Sequence, residues 1–405
     1  GIPEPSLTIL HPHPRHPESV MLPAEILFLI AIAFGAYTYL GYPLLLQLLT
    51  LGRGGDGREE TGKSWPQVSI TVPAFNEEHQ IRETLDSLLA LEYPAEKKQI
   101  LIVSDASTDG TDEIVRSFED RGVELVRQPE RRGKTAAENA VAPLLRGEIV
   151  VNTDASIRIH PGSLKELVAP FADPEVGLTS GRDVSVGKEG GEANQGEAGY
   201  VGYEMWIRDL ETRLGGIVGA SGCCYAIRRE LHGIPLPEGL SRDFAAALNT
   251  RERRFRPISI TAATCVVPRG RSLRREYPRK VRTITRGMQT LRFKKALLNP
   301  FRFGPYSWML FSHKVCRWLL PWAGVLALLA LGVLSLQQTW ALLLFGLALL
   351  VMALGAGAWA FGGHRTLPRL LAVPAFLLMA NVAVLHASLR AILGRSDAVW
   401  NPTRR

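Results

Sequence analysis

Cysteine is scarce in this chain. Its four residues, Cys223, Cys224, Cys265 and Cys316, among 405, have no metal-ligand spacing, which excludes a zinc module and a disulfide-stapled scaffold and leaves small, mostly buried thiols. Charge is missing from two long stretches, the 26 residues of Ile26 to Leu51 and the 46 of Trp318 to Gly363. One bilayer crossing takes about 20 apolar residues, so the first stretch accommodates one span and the second two. Leu370 to Leu389, interrupted mainly by Asn381 and His386, is a fourth candidate. A wholly cytosolic protein is excluded. The N-terminal run has no clean small-residue cleavage pattern and follows a Pro/His-rich leader, so it reads as a retained anchor and not as a signal peptide. Acid is nearly absent from Arg269 to Lys295, where eleven Lys/Arg face the single Glu276. By the positive-inside rule this segment faces the cytosol. It adjoins the membrane and lacks interleaved stacking aromatics, which argues against nucleic acid as a partner.

The resulting layout is a leader (1–23), a membrane helix (24–51), an α/β domain (52–267), basic amphipathic or interfacial helices (268–313), a membrane region (314–394, with spans near 314–336, 340–361 and 369–392) and a tail (395–405). Within the α/β domain, short β-rich runs at Gln67–Val72, Ile100–Val103, Val123–Val126 and Glu148–Thr153 alternate with helical spacing at 81–91, 111–118 and 134–145. That alternation predicts a largely parallel sheet with helices on its faces. Such sheets bind ligands outside the carboxyl ends of their strands. Three of those ends are acidic: Asn76-Glu77-Glu78, Asp105 to Asp109, and Asp154. Crowded carboxylates repel unless a cation or a hydrogen-bonding ligand compensates them, so the edge suits a divalent metal with a nucleotide. The blander reading is that Asp109 and Glu77 cap the helices that follow.

These loops resemble those of the family 2 glycosyltransferases with a GT-A fold, in the membrane-integrated branch related to cellulose, hyaluronan and poly-N-acetylglucosamine synthases. The resemblance covers residues 67 to about 315. Val72-Pro73-Ala74-Phe75-Asn76-Glu77-Glu78 looks like the first nucleotide-binding loop, which assigns Pro73, Ala74, Asn76 and Glu77 to the donor. Val103 to Asp109 looks like the second, with Asp105 on the nucleoside. Arg132-Gly133-Lys134-Thr135 looks like the loop before a donor-pocket helix, where Gly133 allows close approach and Lys134 places a cation near the diphosphate. Asp154 matches the first position of the D-x-D metal motif and Ser156 stands at the third, so Mg²⁺ or Mn²⁺ would take most of its ligands from the donor and water. Tyr203-Glu204, Arg208, Glu211 and Gly219 to Arg229 resemble the acceptor-side segment. Leu240-Ser241-Arg242-Asp243-Phe244 resembles the acidic catalytic motif, with Asp243 as general base. Arg279-Lys280-Val281-Arg282-Thr283 stands where the family has Q-x-x-R-W, which assigns Arg279 and Arg282 to the donor phosphates and Arg282 to the leaving diphosphate. Thr283 replaces the tryptophan that stacks on acceptor sugar in processive relatives. The same stripe of arginines on an amphipathic helix equally describes an interfacial helix on anionic lipid.

The resemblance implies an inverting transferase that uses a nucleotide sugar, most simply a UDP-sugar, and extends a cell-surface or exported polysaccharide from the cytosolic face of the plasma (inner) membrane. Single-sugar transfer to a lipid or polyprenyl phosphate is the alternative within the same chemistry. A non-catalytic nucleotide-sensing membrane protein is the alternative from another class. Membrane lipids are partners in each, and oligomeric state is left open.

Overall fold

The computed structural model describes residues 18–52, 65–186, 193–268, 273–361, 369–395 and 399. Most of the leader, most of the Gly-rich linker and the ending Trp400 to Arg405 lie outside the described residues. The chain enters as α1 (Glu18–Ala36), continues through a π-helical turn (Tyr37–Gly41) and ends as α2 (Tyr42–Leu49). An α/β domain follows: β1 (Val68–Ala74), α3 (Ile81–Leu89), β2 (Lys98–Ser104), α4 (Thr111–Arg116), β3 (Val123–Arg127), α5 (Lys134–Val141), β4 (Ile149–Thr153), β5 (Arg158–Ile159), α6 (Ser163–Val168) and β6 (Val176–Val186). It is completed by α7 (Ala193–Leu214), β7 (Cys224–Arg228), α8 (Arg229–His232), α9 (Arg242–Glu252) and β8 (Arg256–Pro268). Then come α10 (Leu273–Phe293), α11 (Pro300–Phe303) and α12 (Pro305–Leu310), the last running through a second π-helical turn (Phe311–Cys316) into α13 (Arg317–Leu334), before α14 (Thr339–Phe361) and α15 (Arg369–Ile392).

The strands form one sheet in the order β3-β2-β1-β4-β7-β6-β8-β5. β3, β2, β1 and β4 are parallel, as their alternation with helices predicts, with Ile70 level with Ile100 and with Val151. β7 is antiparallel to both β4 and β6, so the sheet is mixed beyond the fourth strand. Every residue of β1 is buried, because helices cover both faces and leave none for solvent. Three cysteines are buried within the protein, and burial, with Asp183 and Asp154 adding to it, pushes the Cys224 thiol up to about 12.

Among the described residues, four helical stretches are long and apolar enough to cross a membrane: Met21–Leu49, Pro305–Leu334, Thr339–Phe361 and Leu370–Ile392. One is N-terminal and three are C-terminal. The second stretch is one continuous helix from Pro305, made of α12, the π turn and α13. α1 packs on α13 through Ala24, Leu331 and Leu334. α10 is wedged between the α/β domain and α15, with Val281 against Ala383 and Ala387 and the Tyr277 hydroxyl 2.9 Å from His386 Nδ1.

Where the spans meet the domain, the buried contacts turn polar. Tyr42 donates to Glu211 Oε1 at 2.6 Å, and His313 Nδ1 lies 2.6 Å from the same oxygen. His313 Nε2 lies 2.7 Å from Glu204 Oε1, and Arg317 Nη1 donates to Glu204 Oε2 at 2.6 Å. Burial alone would raise the Glu204 pKa, but its contacts with His313 and Arg317 win and hold the carboxylate well below its ordinary range. A depressed folded-state pKa adds stability that is present above the unfolded value, about 4.3, and is lost as pH falls through the folded one. Glu204→Gln should therefore melt at lower temperature than the parent by an amount that is constant from about pH 7 to pH 5 and shrinks below about pH 4. Thermal unfolding of both proteins in detergent measures this, and a gap that widens on acidification would contradict it.

Candidate active site

The site is assembled at the carboxyl ends of β1, β2 and β4. The loops leaving β1 and β2 turn through residues with positive φ, Asn76 at 52° and Ala106 at 58°. Such backbone is costly for an alanine and persists only when its surroundings fix it. Here they do. Asn76 Oδ1 accepts from Thr108 N at 2.8 Å, Asn76 N donates to Ser107 Oγ, and Glu77 N donates to Thr111 Oγ1 at 2.8 Å. Pro73 and Ala74 form the end of β1, where the Ala74 carbonyl accepts from Asp105 N at 2.8 Å. Asp109 Oδ1 accepts from Thr111 N, the first amide of α4, at 3.1 Å, while the cap position itself is Gly110. The Arg131 guanidinium lies 3.6 Å over the Phe75 ring.

Asp105 is fully buried, and both of its oxygens receive backbone amides, Oδ1 from Arg132 at 2.8 Å and Oδ2 from Gly133 at 2.9 Å. It thereby fixes the turn that starts α5. That turn requires glycine, since Gly133 has φ of 95°. The next residue, Lys134, reaches Asp154 Oδ1 at 2.5 Å and the Gly222 carbonyl at 3.3 Å. Burial works to lower the Lys134 pKa; Asp154, by charge and hydrogen bond, and Asp243, by charge, outweigh it and raise it above its ordinary value. Asp243 stands in the first turn of α9 with Oδ1 accepting from Ser241 Oγ at 2.6 Å. Its other oxygen lies 3.0 Å from where a side chain on Gly222 would begin. A methyl there would press on the carboxylate, so glycine lets the acid of α9 approach the lysine of α5 across this loop.

α10 supplies the basic wall. Arg286 clamps the segment before Asp243, donating to Gly239 O at 3.2 Å, to Thr135 Oγ1 at 2.9 Å and to the carbonyl of Leu240. Burial lowers its pKa, while it senses Asp243 in one sense and Arg282 in the other. Arg282 is thus one helical turn from Arg286 on the same wall, whereas Arg279 bonds Glu276 of its own helix through Nε at 2.8 Å. Arg242 turns away from the cleft. Its guanidinium donates to Asn139 Oδ1 and to His232 O, each at 2.6 Å.

Asp154 and Ser156 follow β4, with the Asp154 side chain 41% exposed. Among the described residues no three His, Cys, Asp or Glu converge into a metal-holding group. An exposed carboxylate oxygen beside a hydroxyl fits a hard cation that takes its remaining ligands from phosphate and water.

Two participants are marked by no motif, because their contacts are distant in sequence: Arg286, which meets Thr135 and Leu240, and His232, which lies 3.2 Å from the buried Glu138 of α5. In the segment expected to face the acceptor, Arg208 donates to Ser180 Oγ at 2.6 Å and to Gly219 O at 3.1 Å, and Ser221 Oγ donates to Asp183 at 2.6 Å. These bonds fix the loop 219–222 from below.

Residues 69–233 match the Glycosyl transferase family 2 profile. The beta-monoglucosyldiacylglycerol synthase of Nostoc sp. is 30% identical over 207 residues, which are 49% of this chain and 44% of that protein. The poly-beta-1,6-N-acetyl-D-glucosamine synthase of Staphylococcus epidermidis is 31% identical over 116 residues, 28% of each. The chain thus spans less than half the length of these curated relatives. Among solved structures, a mannosyltransferase from Pyrobaculum calidifontis in complex with GDP-Man and Mn2+ superposes with a TM-score of 0.70 at 26% identity, covering 91% of this chain and all of that one. The matched profile makes residues 69–233 similar to glycosyltransferase family 2 domains, the superposed mannosyltransferase shares the GT-A fold, and the described residues add candidate membrane helices.

Proposed function

We propose that this protein transfers a sugar, with inversion, from a nucleoside-diphosphate sugar to a hydroxyl-bearing or phosphate-bearing acceptor lodged in the membrane. The observation that carries the reading is the approach of Asp243 to the Lys134–Asp154 pair across Gly222. One carboxylate would then serve the acceptor side while an ammonium serves the donor side, each next to Gly222. The Asp105-held turn and the Pro73 to Glu77 loop would receive the nucleoside. Lys134 and Arg282 would oppose the charge that develops on the departing diphosphate, where fixed cations lower the barrier most. Asp243 would take the acceptor proton as that oxygen attacks the anomeric carbon. Asp154 and Ser156 would hold a divalent cation, which when bound supplies further charge neutralisation to the diphosphate.

A lipid-borne acceptor receiving one sugar fits the membrane helices better than a threaded polymer does. The span Thr339–Phe361 is nearly pure hydrocarbon, and Thr283 offers no ring for a sugar to stack on. The similarity to a poly-N-acetylglucosamine synthase keeps a polysaccharide product as the second reading. The basic α10 favours the cytosolic side of a bacterial-type inner membrane for the domain.

Incubation of the full chain in lipid micelles with a panel of UDP- and GDP-sugars should release nucleoside diphosphate from one of them, in a reaction stopped by a chelator. Mass spectrometry then separates one added hexose on a lipid from a ladder of products. No release from any donor, with binding of the nucleotide intact, would favour a nucleotide sensor and sink the enzyme.

A further inference from the structure

The second π-helical turn, Phe311–Cys316, carries a cation that the junction does not use. His313 is held between Glu204 and Glu211, and Arg317 is paired with Glu204. Lys314, between them, forms no hydrogen bond and no ion pair among the described residues. Its chain lies along Gly219 instead, with Cε and Nζ each 3.4 Å from where a Cβ on that glycine would be. Its ammonium stands 5.6 Å over the ring of Phe244, the residue after Asp243. The acids of this junction, Glu204 and Glu211, are committed to Arg317, His313 and Tyr42. An ammonium held at a partly desolvated junction without a directly paired counter-ion is unfavourable. An anion arriving there would be bound through a charge-assisted contact.

The position of that anion follows from the loop 219–222. Its far end, Gly222, touches Lys134 and Asp243, and its near end, Gly219, touches Lys314. Three residues of extended chain span at most about 11 Å. The ammonium therefore stands within one short loop of the proposed base, on the side where the membrane helices enter, while Lys134, Arg282 and Arg286 stand on the donor side.

We infer that Lys314 is the acceptor-recognition residue: its ammonium, seated on Gly219 and Phe244, binds a phosphate group carried by the lipid acceptor and so holds the acceptor's reactive end at Asp243. The inference rests on the proposed transfer to a membrane-borne acceptor and narrows that acceptor to lipids that carry a phosphate beside the hydroxyl that Asp243 deprotonates.

The test is a binding measurement without donor on the full chain in dodecyl maltoside, titrated with farnesyl phosphate and separately with farnesol, two probes that share a tail and differ only in the phosphate. The native chain should prefer farnesyl phosphate by about tenfold or more, the range expected of one hydrogen bond to a charged group. Lys314→Gln should bring the two affinities together, and Lys314→Arg should retain most of the preference. Gly219→Ala keeps the charge but crowds the ammonium, and it should reduce the preference in a chain whose fold is checked by unchanged nucleotide binding. Equal binding of the two probes by the native chain, or a preference untouched by both Lys314→Gln and Gly219→Ala, would overturn the inference. So would displacement of farnesyl phosphate by phosphatidylglycerol at equal mole fraction, since the site would then hold bulk lipid. Because no donor is present, loss of this preference is read separately from any failure of the sugar-transfer assay.

Discussion

Asp243→Asn should reduce turnover by about 10² to 10⁴-fold while donor affinity changes little, the signature of a lost general base. The substitution is unusually clean. The asparagine oxygen can still accept from Ser241, which holds Asp243 Oδ1 at 2.6 Å, so the first turn of α9 keeps its geometry. What disappears is the charge beside Gly222 and with it the ability to receive a proton. Single-turnover kinetics with saturating acceptor, paired with nucleotide-sugar binding, separate the two effects. Retention of more than about a tenth of the native rate would remove Asp243 from the proton transfer.

Lys134→Gln should be nearly as severe, at about 10² to 10³-fold in kcat, comparable with removing one preorganised donor from a developing anion. It should also weaken donor binding, because the same ammonium faces the ground-state diphosphate. The loss has two sources. The leaving group loses a cation, and Asp154 and Asp243 lose the positive charge that separates them. Since Asp154 and Asp243 hold the Lys134 pKa above its ordinary value, the residue stays charged across the working range, and the native pH–rate profile should contain no step from it. If Lys134→Gln retained full kcat and lost only donor affinity, its part would be confined to binding.

The parallel half of the sheet was legible because each strand is a short apolar run ending in polar residues, and its helices repeat at the expected spacing. The positions of Asp105, Asp154 and Asp243 were legible for a related reason: each ends a strand or opens a helix, and short motifs mark both. The antiparallel β7 was not, since nothing local in Cys-Tyr-Ala-Ile-Arg distinguishes the two directions. Nor could spacing show that Arg242 faces Asn139 and the His232 carbonyl while Arg286, 43 positions later than Asp243, secures the chain before it. Neighbours in sequence on a helix point 100° apart, so adjacency to an acid says little about contact with it. Gly222 is the sharpest case. Its contribution is an absence of atoms, which acquires meaning only once α9 is docked.

The two π-helical turns have a further consequence. Both interrupt spans at the same depth and touch one another, with the Tyr37 hydroxyl 2.7 Å from Ser312 Oγ. Each wide turn accommodates a surplus residue without ending the helix. Trimming one residue from either would leave hydrophobic length ample for a crossing yet swing everything beyond it by about 100°. Tyr42 in one case, or Arg317 in the other, would then turn away from its partner on the α/β domain, Glu211 or Glu204. Span length in this protein is thus free to drift with bilayer thickness, whereas the count of residues between each wide turn and the domain is phase-locked, like the teeth of two meshed gears.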